Sequence, residues 1–337
     1  MKIMFNSSLL NDFIKKSKFV KSEGIQIRSA DGKIQLVNCD LESQVTTNIM
    51  GDVCEAGNII IPKDIFPLIK DNEPMIVITN KITVGSRSIE FASNNDYYPT
   101  IEDDFKYNVF DLSNKEIKTL LEVEHAISKD HTKPLLTGIR IQNNKFITID
   151  GYRMCERTGD FKSDVPVSIS NHKMLKALRG QIKATCSNRY INYQVGNYNY
   201  SNRLLEGEFI EIDKLKPRDH NTLIQVNKDE LEEILKSMEK ASTSVRNKLV
   251  QLGIRDNVLH IKTSNEKVVL ADSMQCKTTG DNLDIAFNST YLLEAVKDMH
   301  TTINMKFTTN VNPVVIESPG KYELILPVRE ASDIERR

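Results

Sequence analysis

Apolar and polar residues alternate along this chain in an arrangement that recurs three times. A short β-type run leads into a residue of capping type, and apolar positions then follow at three- and four-residue steps. The first copy is Ile3-Met4-Phe5, then Asn6, then Leu9, Leu10, Phe13 and Ile14. The second is Val109-Phe110-Asp111-Leu112, then Ser113, then Ile117, Leu120 and Leu121. The third is Leu223-Ile224-Gln225-Val226, then Asn227, then Leu231, Ile234, Leu235 and Met238. Asn and Ser at a helix start offer a side-chain oxygen to an orphan backbone N–H. The step of the apolar residues marks one buried face per helix. The caps at 6, 113 and 227 stand 107 and 114 residues apart.

Each copy continues with two strands about a tight turn: Asp31-Gly32, Asn143-Asn144 and Asp256-Asn257. These types tolerate positive φ and close hairpins. A second strand, cap and helix then follow in every copy. They are Ile59-Ile60-Ile61 with Pro62, Ile65, Phe66 and Ile69; Val165, Val167, Ile169 with Ser170, Met174, Leu175 and Leu178; and Leu283, Ile285, Phe287 with Asn288, Leu292, Leu293 and Val296. Pro62 suits a first helical position. Strands and helices with one apolar face each must bury those faces together. The pattern therefore predicts an α+β chain of three repeated domains, each with antiparallel sheets and two amphipathic helices, over 1–107, 108–218 and 219–337. Repeats of this length exceed the usual solenoid unit of about 20–50 residues.

Charge nearly cancels, with 45 Lys+Arg against 46 Asp+Glu in 337 residues. That excludes a polycation but leaves room for basic groups sorted onto one face. Cations do concentrate: Lys15, Lys16, Lys18 and Lys21 follow one another on and after the first helix, and Lys173, Lys176 and Arg179 lie on the second helix of copy two. The first helix of copy three mixes Lys228 and Lys236 with Asp229, Glu230, Glu232 and Glu233. No run approaches the ~20 apolar residues of a membrane-spanning helix, and the N-terminus turns polar too soon for a signal peptide. Five cysteines without a CxxC read as reduced thiols, so the expected location is cytoplasmic.

Candidate chemistry is sparse. The six histidines fall at no metal-ligand spacing, and no GxxxxGK[ST], GxGxxG or GxSxG segment occurs. Neither a metal nor a cofactor is expected, and an enzyme is disfavoured. Asp150, before Gly151, reads as the Asp that caps its own turn rather than as a catalytic carboxylate.

Several segments resemble a known family. Phe146-Ile147-Thr148-Ile149-Asp150-Gly151-Tyr152-Arg153-Met154 is similar to the strand and A-T-D-G-H-R-L turn of the bacterial DNA polymerase III beta sliding clamp family, and Pro134-Leu135-Leu136-Thr137-Gly138-Ile139 resembles its upstream strand. Leu204-Leu205-Glu206-Gly207-Glu208-Phe209-Ile210 resembles L-I-E-G-x-F-P. Leu283-Asp284-Ile285-Ala286-Phe287-Asn288 with Tyr291-Leu292-Leu293 resembles I-G-F-N-x-x-Y-L, and Tyr322 to Arg329 resembles Y-V-V-M-P-M-R. The departures mark a divergent member: Ile210 and Tyr152 replace the family's Pro and His, Lys18–Gly24 replaces a proline-rich loop, and eight residues follow Arg329.

The resemblance implies a ring of clamp domains closed by a head-to-tail homodimer, which encircles double-stranded DNA without reading sequence. It would tether the replicative polymerase as a non-catalytic processivity factor. Partner peptides of the polymerase and the clamp loader would enter a pocket between the second and third domains. Matched residue by residue, that pocket comprises Leu136, Ile149, Gly151, Tyr152, Arg153, Met154, Ile210, Leu215, Val311, Pro313, Leu324, Ile325, Leu326, Pro327, Val328 and Arg329. The resemblance further places Ser273 and Met274 on the dimer edge, and Lys15, Lys18, Lys21, Lys129, Lys133, Lys173, Lys176 and Arg179 facing the DNA. The rival readings are a clamp-like peptide-binding scaffold that never encircles DNA, and an enzyme of DNA metabolism, which would need an acidic metal site.

Overall fold

The computed structural model describes all residues except 93–96, 171, 176, 177, 179, 244–247 and 330–337; the side chains of His172 and Lys173 are also outside it. Helix starts follow the capping chemistry. The Asn6 side chain accepts from Ser8 N at 2.9 Å and opens α1 (Ser7–Ser17). Ser113 and Glu116 form a capping box at α2 (Asn114–Leu121): Ser113 Oγ accepts from Lys115 N at 3.3 Å, and Glu116 accepts from Ser113 N at 3.0 Å. Short helices α3 (His172–Leu175) and α4 (Ile212–Leu215) come next. Asn227 takes the amides of Asp229 and Glu230 to open α5 (Lys228–Ala241), and Asn288 takes those of Thr290 and Tyr291 to open α6 (Ser289–Lys297). α1, α2, α5 and α6 turn apolar side chains inward; α5, for example, buries Leu231, Ile234, Leu235 and Met238.

One expected helix differs. The second helix of copy one is a 3-10 turn, Lys63–Leu68, with Pro62 outside it as the N-cap rather than at the first helical position. Pro67 stands inside that segment and has no N–H to donate, so an α-helical ladder cannot propagate there. The hairpin turns behave as their residue types demand. Asp31 and Gly32 have φ of 52° and 72°, Asn143 has 56°, and Asp256 and Asn257 have 52° and 62°.

The chain divides into two compact units, residues 1–117 with 161–206 and residues 118–160 with 207–337. The second repeat is thus shared between them. In the first unit, a five-stranded sheet runs Asp52–Glu55, Lys2–Asn6, Pro74–Ile78, Lys81–Val84, Arg87–Glu90, all antiparallel. An eight-stranded sheet joins copy two to copy one where Tyr198–Arg203 pairs with Ser43–Ile49, Tyr200 opposite Val45.

In the second unit the same kind of junction links copies two and three. The strand Arg153–Thr158 pairs antiparallel with Lys321–Ile325, Met154 opposite Leu324 and Arg157 opposite Lys321. A four-stranded sheet ends on Val269–Gln275 and continues through Val258–Ser264 and Leu249–Arg255 to Leu283–Asn288. α5 and α6 pack on each other over the core of copy three, which includes Ile224, Leu252, Ile285, Phe287, Ile316 and Ile325. Among the described residues no helix is long and apolar enough to cross a membrane. Of the five cysteines, Cys54 is exposed while Cys39, Cys155, Cys186 and Cys276 are buried.

Candidate peptide pocket and charged faces

The pocket region lies wholly within the second unit and is built on the paired strands Arg153–Thr158 and Lys321–Ile325. Alternation along each strand sends every second side chain to the same face. Met154 and Leu324, opposite each other in register, meet Leu136, Ile147, Ile149 and Ile212 in one apolar cluster, with Phe209 and Tyr322 packed against it. Ile325, one residue along, turns to the other face and belongs to the core of copy three, so it does not line the pocket.

Five of the expected pocket residues, Tyr152, Ile210, Leu215, Val311 and Leu326, are exposed apolar groups. The chain leaves the strand after Ile325, and Leu326 N donates to Tyr152 O at 2.9 Å, fixing those two beside each other. Pro313, Pro327 and Val328 are half-buried and Arg329 is exposed.

A tight turn shapes one side. Gly151 has φ of 95°, where a Cβ is strained, and the Asp150 carboxylate accepts from Tyr152 N at 2.9 Å and Arg153 N at 3.1 Å. Asp150 is therefore the turn's own cap. Arg153 is buried, and every nitrogen of its guanidinium is engaged. Nε donates to Asp150 at 2.8 Å, Nη1 to Glu294 at 2.5 Å, and Nη2 to the carbonyl oxygen of His125. Burial alone would lower its pKa, but Glu294 and Asp150 hold it above the ordinary value. Arg153 is thus a fixed strut and offers no free handle to a ligand. It lies 4.2 Å from the ring of Tyr291, which stacks beside Tyr152. Tyr291 and Glu294, absent from the expected residues, complete this side, and Tyr291 stood in the segment similar to N-x-x-Y-L.

Beneath the strand pair is a buried ionic cluster that residue spacing did not reveal. Arg157, fully buried, donates to Glu323 at 2.7 Å and to Glu122 at 3.3 Å, and Lys321 also reaches Glu122 at 2.8 Å. His125, Cys155 and Glu323 bring three potential donor atoms close together there. The adjoining Arg157 guanidinium occupies one Glu323 oxygen, so a metal cation would face an existing cation, and we read the group as an ion-pair cluster. A separate polar cavity of about 790 Å³ in this unit is lined by Gln251, Arg255, His260, Lys262, Asp272, Asp284 and others, and touches the pocket segment only at Val328.

Of the expected DNA-facing residues, Lys15, Lys18 and Lys21 in the first unit and Lys129 and Lys133 in the second are exposed. Lys176, Arg179 and the side chain of Lys173 lie outside the described residues. By contrast, Lys228 and Lys236 on α5 both pair with Glu232 at 2.6 Å, which neutralises that helix face. On the expected dimer edge Ser273 is exposed, but Met274 is buried in the core of its own sheet, with 3% of its surface accessible. The strand's inward-facing positions fill that core, so only its backbone and outward side chains remain for a partner.

Comparison with known proteins agrees with this architecture. Residues 213–329 match the family described as DNA polymerase III beta subunit, C-terminal domain. The beta sliding clamp of Streptococcus pneumoniae is 24% identical over 342 residues, covering 92% of this chain and 90% of that one. The DNA polymerase sliding clamp of Bacillus subtilis superposes with a TM-score of 0.84 at 20% identity, covering 98% of this chain and 99% of that chain. A sliding clamp from Bartonella birtlesii, solved bound to griselimycin, gives 0.80 at 21% identity, covering 98% and 100%. With three capped repeats in register and strand-paired junctions between them, the chain has the fold of bacterial DNA polymerase III beta subunits, is similar to beta sliding clamps along nearly its whole length, and in residues 213–329 matches the C-terminal domain family of that subunit.

Proposed function

We propose that this chain is a DNA sliding clamp that holds a replicative polymerase on duplex DNA and performs no chemistry of its own. The observation that carries the reading is the match to beta sliding clamps along nearly the whole chain, which also holds a Met154–Leu324 apolar cluster and the exposed apolar residues Tyr152, Ile210, Leu215, Val311 and Leu326. A short apolar peptide fits such a surface, as peptides and small ligands bind concave apolar sites with few polar groups. On this reading the polymerase, the clamp loader and griselimycin all take the same pocket.

Three domains, 1–107, 108–218 and 219–337, make up each half of a two-chain ring. Its joints pair Arg87–Glu90 of one copy with Val269–Gln275 of the other, each the end strand of its own sheet. Unpaired strand edges are templates for such addition, and a head-to-tail contact closes when its rotation does. A topological link needs only weak, sequence-blind contacts, which exposed Lys15, Lys18, Lys21, Lys129 and Lys133 supply to phosphates. Loading this protein onto nicked circular DNA with its loader tests the idea. Retention on the circle and release after linearisation is the expected result; equal retention on both, or none on either, overturns it.

A further inference from the structure

The strand pair that carries the pocket in the second unit has a counterpart in the first, position for position. In the second unit the hairpin from Ile149 to Met154 turns through Asp150, whose carboxylate accepts from Tyr152 N and Arg153 N, with Gly151 at φ of 95°. In the first unit the hairpin from Cys39 to Gln44 turns through Asp40, whose carboxylate accepts from Glu42 N at 3.1 Å and Ser43 N at 2.7 Å. Leu41 takes the place of Gly151, with φ of 71°. Left-handed backbone strains a leucine, so the shape of this turn is kept even where its residue opposes it.

The match continues outward from the turn. Gln44 stands opposite Ser201 as Met154 stands opposite Leu324. Arg203 N donates to Glu42 O at 2.8 Å, as Leu326 N does to Tyr152 O at 2.9 Å. Val37, Cys39 and Ile101 are buried together with Tyr98 packed against them, as Ile147, Ile149 and Ile212 are with Phe209. Tyr98 precedes Ile101 by three residues, and Phe209 precedes Ile212 by three. One backbone frame thus occurs twice, once in each unit.

Side chains differ at four places on that frame. Tyr152, Met154, Leu324 and Leu326 have Glu42, Gln44, Ser201 and Arg203 as their counterparts. Glu42 and Arg203 are exposed and meet at 3.4 Å, and Arg203 reaches Glu206 at the same distance. The Gln44 amide is engaged by Ile101, donating to its carbonyl oxygen at 3.0 Å and accepting from its N–H at 2.8 Å. An apolar ligand laid here would strip water from two charges and offer them no hydrogen bond in return.

We infer that the first unit carries a closed duplicate of the peptide site, and that these four positions, rather than the backbone frame, determine which copy takes an apolar peptide. The inference rests on the peptide-pocket reading above and deepens it. Selectivity lies chiefly in the two exposed pairs: Tyr152 with Leu326 admits the ligand, and Glu42 with Arg203 turns it away.

Griselimycin is the probe, and isothermal titration calorimetry of the full-length protein reads the number of equivalents bound. The unmodified chain should bind one equivalent. Glu42→Tyr with Arg203→Leu, both at exposed side chains, should add a second. Gln44 and Ser201 keep their bonds in that variant, so the added site is the weaker. In the second unit, Tyr152→Glu with Leu326→Arg should lower the original affinity by at least about tenfold, since polar groups left dry and unpaired cost that much. All four substitutions together should leave one equivalent, with ligand protection from hydrogen exchange moved from Ile149–Met154 to Cys39–Gln44. A single equivalent in a folded Glu42→Tyr, Arg203→Leu chain overturns the inference, as do two equivalents in the unmodified one. Should that variant fail to fold, the Tyr152→Glu, Leu326→Arg chain still decides: unchanged affinity there overturns the role of these positions, and the expected loss supports it. No binding by the unmodified chain counts against the pocket reading itself, and the inference falls with it.

Discussion

Replacing Leu326 with alanine should weaken ligand capture while leaving the fold intact, and replacing Leu324 should do the reverse. The two leucines sit two residues apart but differ in what they still expose. Leu326 keeps 41% of its surface accessible and Leu324 only 6%. Complete burial of a leucine side chain is worth about 1.5–3 kcal/mol. Covering the exposed fraction of Leu326 therefore yields roughly 0.6–1.2 kcal/mol, or about three- to eightfold in Kd. Its truncation leaves the backbone bond from Leu326 N to Tyr152 O untouched. Leu324 has almost nothing left to give a ligand, but it is packed among Met154, Ile149 and Leu136, where a cavity costs about 2–5 kcal/mol. Calorimetric titration with griselimycin and differential scanning calorimetry on both variants separate the effects. Unchanged affinity for Leu326→Ala, or an unchanged Tm for Leu324→Ala, would refute the division between rim and floor.

Arg157→Met should cost about 3–5 kcal/mol in urea unfolding, because it strands the buried Glu323 charge, and adding Glu323→Leu should restore much of the loss. An m-value and midpoint unchanged by the single substitution would contradict the cluster. Met274→Asp should unfold the four-stranded sheet rather than merely separate subunits. Val269→Lys, on a side chain 66% exposed, should yield folded monomers by light scattering. Replacing Lys15 and Lys18 together with alanine should reduce DNA retention equally on all sequences and lower the salt slope by about two; an altered sequence preference would point to base readout. Glu156 sits 2.7 Å from both Lys145 and Lys216, which hold its pKa below the ordinary value against the effect of burial. A depressed carboxylate stabilises the fold above its unfolded pKa and loses that contribution as pH falls through the folded one. Stability should thus drop below about pH 4, and Glu156→Gln should flatten that drop.

Caps and turns were legible in the sequence because they are local bonds: Asn6, Ser113, Asn227 and Asn288 each bond within three residues of themselves. Pro67, two residues into the second half of its 3-10 turn, was the local sign that copy one would depart from an α-helix there. The junctions between copies were not legible, since nothing in Ser43–Ile49 or Tyr198–Arg203 marks them as partners across some 150 residues. Arg157 and Glu323, 166 positions apart, look like ordinary surface charges until the strands pair. Resemblance brought Ile325 and Arg153 into the expected pocket as sequence neighbours of Met154 and Leu324. Strand alternation sends the first to the opposite core, and ion pairs consume the second.

The lone accessible thiol has a practical consequence. Cys54 lies on Asp52–Glu55, one end of the five-stranded sheet, whereas Arg87–Glu90 forms the other end. Burial raises the thiol pKa of Cys39, Cys155 and Cys186, which keeps them in the unreactive protonated form. A maleimide dye will therefore enter the natural chain at one position without mutagenesis. Four strand spacings of about 4.8 Å, some 19 Å, separate that dye from the strand proposed to meet a second copy. It is far enough not to obstruct assembly and close enough for energy transfer to an acceptor across the joint. The natural chain is thus ready for a single-molecule test of whether a second copy meets that strand.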